Sequence, residues 1–213
     1  VEVHHHDVGF GQAALVAAGD GDRGMAIIQS AREIAAGCGR PAGMRELAHW
    51  IDDGKGKSTA AFGLALRASG RGKDVKIYQF MKVPSARFGE HRSFEKLGVP
   101  VEGLGDGFSW KSQDLERSAQ LAREGWEKAK ASILSGEHFL VVCDEITYPL
   151  VYGWVDLQDV LETLRNRPKE VHVCLTGRRC PQEIVDLADT VTEMRPIKHA
   201  FDAGIPAQRG IED

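Results

Sequence analysis

The chain has 213 residues, 42% hydrophobic and 27% charged, with a net charge of −4; this is the balance of a soluble globular protein long enough to bury a substantial core. That charge gives no basic surplus, so neither nucleic acid nor an anionic membrane is expected as a partner, and no apolar run approaches the roughly 18 residues a membrane span needs. The start lacks the basic, then apolar, then small-residue order of a signal peptide, and the expected location is cytoplasmic.

Residues 1–51 read as an unassigned segment. They hold His4-His5-His6, a glycine–aspartate cluster GDGDRG (19–24), a stretch Met25–Gly37 that reads as one helix, and a loop GCGRPAG (37–43). RELAHWI (45–51) stands where a strand should precede the next motif, yet it carries Arg, Glu and His where a buried parallel strand wants Val or Ile. The domain proper is expected over 52–213. There Ser58–Ser69, Gln113–Leu134, Leu157–Arg165 and Pro181–Ala188 read as helices. VKIYQF (75–80), FLVVCDE (139–145), VHVCLTG (171–177) and TVTEMR (190–195) read as strands bounded by turn residues. Strands alternating with helices predict an α/β fold around a mainly parallel sheet. Cys38, Cys143, Cys174 and Cys180 lack CxxC spacing, and two lie inside apolar runs, so they read as reduced, largely buried thiols.

The stretch WIDDGKGKST (50–59) carries the first chemistry. Glycines let successive backbone N–H groups converge on phosphate oxygens, and the helix start that follows adds partial positive charge. In such a cradle Lys57 neutralises phosphate charge, the Ser58 hydroxyl ligates Mg²⁺, and Lys55 adds a second cation. The full pattern GxxxxGK[ST] asks for glycine at position 51, which is Ile51, and a loop one residue shorter asks for it at Asp52. Two unit charges ~6 Å apart at an effective dielectric near 20 repel by roughly 3 kcal/mol, so Asp52 and Asp53 oppose a triphosphate unless a cation offsets them.

The second half of a metal–phosphate site lies at the end of FLVVCDE. Asp144 and Glu145 fall at a predicted strand C-terminus, the edge where open α/β sheets bind ligands, and a carboxylate there holds Mg²⁺ directly or through water. TGRR (176–179) would bring Arg178 or Arg179 to the same edge. GDGFSW (105–110) sets Phe108 and Trp110 in a glycine-bounded loop, either as a hydrophobic plug or as an aromatic wall for a large flat ligand.

From Asp53 to Glu212 the chain resembles the ATP:corrinoid adenosyltransferases of the cobalamin pathway. The resemblance rests on DGKGKSTAAFGLALRASGRGKDV, YQFMK, FGE, GFSW, CDEITY, TGRRCP and LADTVTEMRPIKHAFDAGIPAQRGIE, in that order. It implies a P-loop NTPase-like three-layer fold, usually dimeric. The activity it implies joins the 5′ carbon of ATP to a corrinoid reduced to Co(I), with triphosphate leaving. On this resemblance Asp53, Gly54, Lys55, Gly56, Lys57, Ser58, Thr59 and Arg178 bind ATP. Ser58, Glu145 and Asp144 surround Mg²⁺, and Lys57 and Glu145 serve the chemistry. Phe108 and Trp110 match aromatics beneath the corrin ring, where they help displace the lower axial ligand of Co(II). The implied electron donor is a flavodoxin or ferredoxin-like protein.

The departures lie upstream. Family members end a hydrophobic strand in Thr-Gly where this chain has Ile51 and Asp52, and residues 1–51 resemble none of the family's N-terminal arm. Two other readings of the residues therefore stand beside the adenosyltransferase: a P-loop phosphotransferase or NTPase, and a non-catalytic corrinoid-binding homologue with a damaged nucleotide site.

Overall fold

The computed structural model of the protein describes residues 54–107 and 115–211, together with the backbone of 25–30. Along the chain run β1 (Met25–Ser30), α1 (Lys57–Ser69), β2 (Val75–Gln79), α2 (Gly89–Lys96), β3 (Val101–Gly103), α3 (Leu115–Ser135) and β4 (Leu140–Asp144). They are followed by α4 (Thr147–Val151), α5 (Leu157–Asn166), β5 (His172–Thr176), α6 (Gln182–Leu187) and β6 (Thr190–Met194). The strands form a six-stranded sheet in the order β3-β2-β4-β5-β1-β6. Every pairing in it is parallel, as the alternation of strands and helices predicted.

The parallel sheet is covered on both faces, which explains why its inner strands read as continuous apolar runs. Alternate residues of one strand serve opposite cores. Ile77, Val142 and Cys174 face α1, where Ala61, Phe62, Ala65 and Ala68 form its buried stripe. Tyr78, Val141, Cys143, Val173 and Leu175 face the other layer, made of α3 and α5. The α3 stripe Ala119, Ala122, Trp126, Ala129 and Ile133 recurs every three or four residues, so its small members let the helix lie close while Trp126 fills the gap. Trp126 is 3% exposed, and truncating a buried Trp to Ala costs about 3–5 kcal/mol.

The helix expected over Met25–Gly37 is not formed at its start: MAIIQS is a strand, hydrogen-bonded to β5 on one side and β6 on the other. A short apolar run fits a helix or a buried strand equally by periodicity, and pairing on two sides decides for the strand. The sheet thus draws a strand from the segment that the sequence left unassigned. RELAHWI, Ile51, Asp52, Asp53, Phe108, Trp110 and Cys38 lie outside the described residues. Among the described residues α2, β3, α4 and a 3₁₀ turn at Phe201–Ala203 also escaped the sequence pattern.

Candidate functional site

The phosphate loop opens directly into α1. Gly54 and Gly56 take φ of 71° and 103°, a left-handed backbone that side chains resist, and Gly56 is the N-cap. No side chain caps this helix start, so the amides of its first turn point outward with the positive end of the helix dipole behind them. Lys57 is buried to 9% exposure, and its Nζ donates to the Gly54 carbonyl at 2.6 Å. Ser58 is half-buried, while Lys55 and Thr59 are exposed. Met194, the last residue of β6, borders the same loop: its Sδ lies 3.9 Å from where a Cβ on Gly56 would stand.

The carboxylates come from the C-terminal end of β4. Asp144 is fully buried, and each of its oxygens is already met by a donor. Gln79 Nε2 donates to Oδ2 at 3.1 Å, and Thr176 Oγ1 donates to Oδ1 at 2.7 Å. Glu145 follows in the left-handed region at φ 62°, and its backbone N–H donates to Thr176 Oγ1 at 2.8 Å. Its Oε2 is buried without a hydrogen-bond partner. Burial pushes the Glu145 carboxyl above the usual carboxylate range, and Asp144 beside it adds to the push. Lys82, Lys57 and Arg178 pull it back.

The fold therefore gathers Lys57, Glu145 and Arg178, three residues singled out in the sequence, at one edge of the sheet. A buried carboxylate oxygen with no donor, beside a second carboxylate, is a place that a cation stabilises. Mg²⁺ takes one or two carboxylates and completes its shell with water and phosphate oxygens. The donors present, a carboxylate and a hydroxyl at the start of a phosphate-loop helix, fit that ion.

Lys82, Gln79, His91 and Thr176 received no role from the sequence. The signal for Lys82 and Gln79 was the motif YQFMK at a strand's C-terminal end, and for Thr176 the start of TGRR. His91 sits in α2, an element the pattern did not disclose, and its only signal was the motif FGE directly before it.

Residues 47–212 match the family model described as ATP:corrinoid adenosyltransferase BtuR/CobO/CobP. A corrinoid adenosyltransferase of Escherichia coli (strain K12) is 44% identical over 160 residues, covering 75% of this chain and 81% of the relative. Corrinoid adenosyltransferase CobA of Salmonella typhimurium is 43% identical over the same shares. A corrinoid adenosyltransferase of Pseudomonas aeruginosa is 41% identical over 162 residues, covering 75% of this chain and 79% of the relative.

Proposed function

The chain belongs to the ATP:corrinoid adenosyltransferase family, and from that premise we propose that it transfers the 5′-deoxyadenosyl group of ATP to the Co(I) of a corrinoid substrate, releasing triphosphate. The observation that carries this reading is the union of a glycine-shaped phosphate loop with a cation-seeking carboxylate at the same sheet edge. The cobalt electron pair forms the Co–C bond as the bond between C5′ and the triphosphate oxygen breaks, so the negative charge develops on the leaving triphosphate.

The protein's part is to bind that charge. Backbone N–H groups of 54–58 and the α1 N-terminus face the phosphates, and Asp53 begins this ATP-binding stretch. Lys57 carries three donors, so one can remain on the Gly54 carbonyl while another meets a phosphate oxygen. Arg178 adds charge from the β5 edge, and Lys55 and Thr59 complete the loop's contacts. Ser58 and Glu145 would hold Mg²⁺, with Asp144 acting through water or by orienting its neighbours. Bound there, the ion supplies electrostatic stabilisation of the triphosphate as a leaving group.

On this reading Phe108 and Trp110 form the apolar floor under the corrin ring, where excluding a lower axial ligand makes Co(II) easier to reduce. A flavodoxin or ferredoxin-like donor supplies the electron, the working form is a homodimer, and the setting is the cytoplasm. No helix among the described residues is long and apolar enough to cross a membrane. The catalytic domain spans 52–213 and is completed by the upstream strand β1. Phosphorus NMR of the products tests the reading: triphosphate is expected, and ADP or orthophosphate as the primary product would identify a phosphotransferase or NTPase instead.

A further inference from the structure

Behind the site runs a row of buried polar groups, of which the reaction as described uses Asp144 alone. Gln79, Asp144 and Thr176 end three neighbouring parallel strands, with Gln79 and Asp144 paired in register, and they are 1%, 0% and 0% exposed. A carboxylate only accepts hydrogen bonds, so Asp144 obliges Gln79 to turn its NH₂ inward and its carbonyl outward. Nε2 of His91 lies against that carbonyl oxygen and Nδ1 lies 2.7 Å from the Ala86 carbonyl; both carbonyls only accept, so a neutral ring, with its one N–H, donates to one of them. At the other end Thr176 spends its single hydroxyl proton on Asp144. Its lone pair is thereby left facing the N–H of Glu145.

From Gln79 to Glu145 each donor direction in the row is set by its neighbour, and the row stops at a strained residue. A left-handed backbone costs a non-glycine residue about 1–2 kcal/mol, and such strain persists only where the surroundings over-determine it. Glu145 is in that position, at φ 62°. The far end is anchored as well: α2, which carries His91, packs its Phe94 edge-on against Phe62 of α1 at 5.7 Å between ring centroids. The helix that opens at the phosphate loop and the helix that starts the polar row are thus in direct contact.

We infer that the row His91–Gln79–Asp144–Thr176 is the device that holds Glu145 in its working position, with His91 a positioning residue acting through Gln79. The inference rests on the adenosyltransferase reading only in naming the ligand that Glu145 serves, Mg²⁺ with a triphosphate. Partners one step behind a metal ligand typically change metal affinity by about 10–100-fold when removed, and that is the size of effect this row carries.

The test is a Mg²⁺ titration of ATP binding to the full chain, read by calorimetry. Thr176→Val and His91→Phe should raise the Mg²⁺ midpoint about 10–100-fold and leave metal-free ATP binding and the corrinoid KM as in the wild type. Thr176→Ser, which keeps the hydroxyl, should restore the midpoint. Gln79→Met, which keeps the length of the side chain but offers Asp144 no donor, should reproduce the shift should either first variant fail to fold. In a Glu145→Gln background Thr176→Val should add nothing. An unchanged midpoint in the folded variants, or an equal shift with and without Glu145, overturns the inference. Wild-type turnover is scored separately: the expected shifts in a protein that makes no adenosylated corrinoid would overturn the proposed reaction and leave the row standing.

Discussion

Lys57 Nζ donates to the carbonyl of Gly54 at 2.6 Å, bridging the phosphate loop from the first residue of α1 back to its first glycine. The bond fixes a buried ammonium at the floor of the loop, which the proposed function gives to the phosphate chain. Lys57→Ala removes both this brace and the charge. Loss of one preorganised donor to a developing anion costs about 10²–10³-fold in kcat, and steady-state turnover should fall at least that far. Binding of the corrinoid alone, followed by fluorescence quenching, should stay within error of the wild type.

Gly177 closes the turn that follows β5. Its φ is 145°, and a Cβ there would stand 1.9 Å from Thr147 Oγ1 and 2.9 Å from Thr147 Cβ. Neither atom is the far end of a flexible side chain, so Gly177→Ala forces α4 and the β5 edge apart. The combined strain and overpacking predict a loss of about 2–5 kcal/mol in stability, measurable by urea unfolding, with Arg178 displaced from Glu145 in whatever fraction still folds.

Asp159 of α5 ties that helix to α3. Its Oδ2 accepts from Trp126 Nε1 at 2.6 Å, and its Oδ1 from Lys130 Nζ at 2.5 Å. Partial burial alone would raise its pKa, but the bonds from Lys130 and Trp126 outweigh that and hold the carboxyl below the usual carboxylate range. A folded pKa below the unfolded one gives stability that is present above the unfolded value and fades as pH falls through the folded one. Asp159→Asn should therefore cost about 1–2 kcal/mol at neutral pH. Thermal melts of the two proteins should converge below the ordinary carboxylate range.

The thiols divide by depth. Cys143 and Cys174 are buried in the central strands, whereas Cys180 is half-buried. Burial, with Asp144 nearby, pushes the Cys174 thiol up to about 12, and burial raises Cys143 as well. Because the thiolate is the reactive form, alkylation of the native protein near neutral pH should modify Cys180 well before either of them. Peptide mapping after a short iodoacetamide pulse checks this, and equal labelling would mean that the sheet opens far more readily than its packing implies.

The parallel sheet was legible because its buried strands are short, β-branched and bounded by turn residues, and because α1 and α3 keep helical spacing. The strand next to its β6 edge was not. A phosphate loop ordinarily follows its strand at once, which directs attention to RELAHWI. The strand that lies between β5 and β6 is instead MAIIQS, separated from Gly54 by residues 31–53. Nothing local distinguishes that run from the start of a helix, and only pairing with distant strands settles it. At the site, Lys57, Glu145 and Arg178 were readable because each sits in a motif at a strand or helix end. The links from His91 to Gln79 and from Gln79 to Asp144 were not, since a hydrogen-bonded row across three strands and a separate helix leaves no spacing in the sequence.

The central claim is that this site breaks ATP at C5′ and not within its phosphate chain. Single-turnover mixing of the protein with MgATP and a chemically reduced corrinoid, followed by the absorbance of the adenosylated product and chromatography of the phosphates, measures that choice directly. Adenosylated corrinoid and intact triphosphate should appear at the same rate and in equal amounts, and both should be lost in Lys57→Ala. Hydrolysis to ADP and phosphate while the reduced corrinoid stays unchanged would contradict the account.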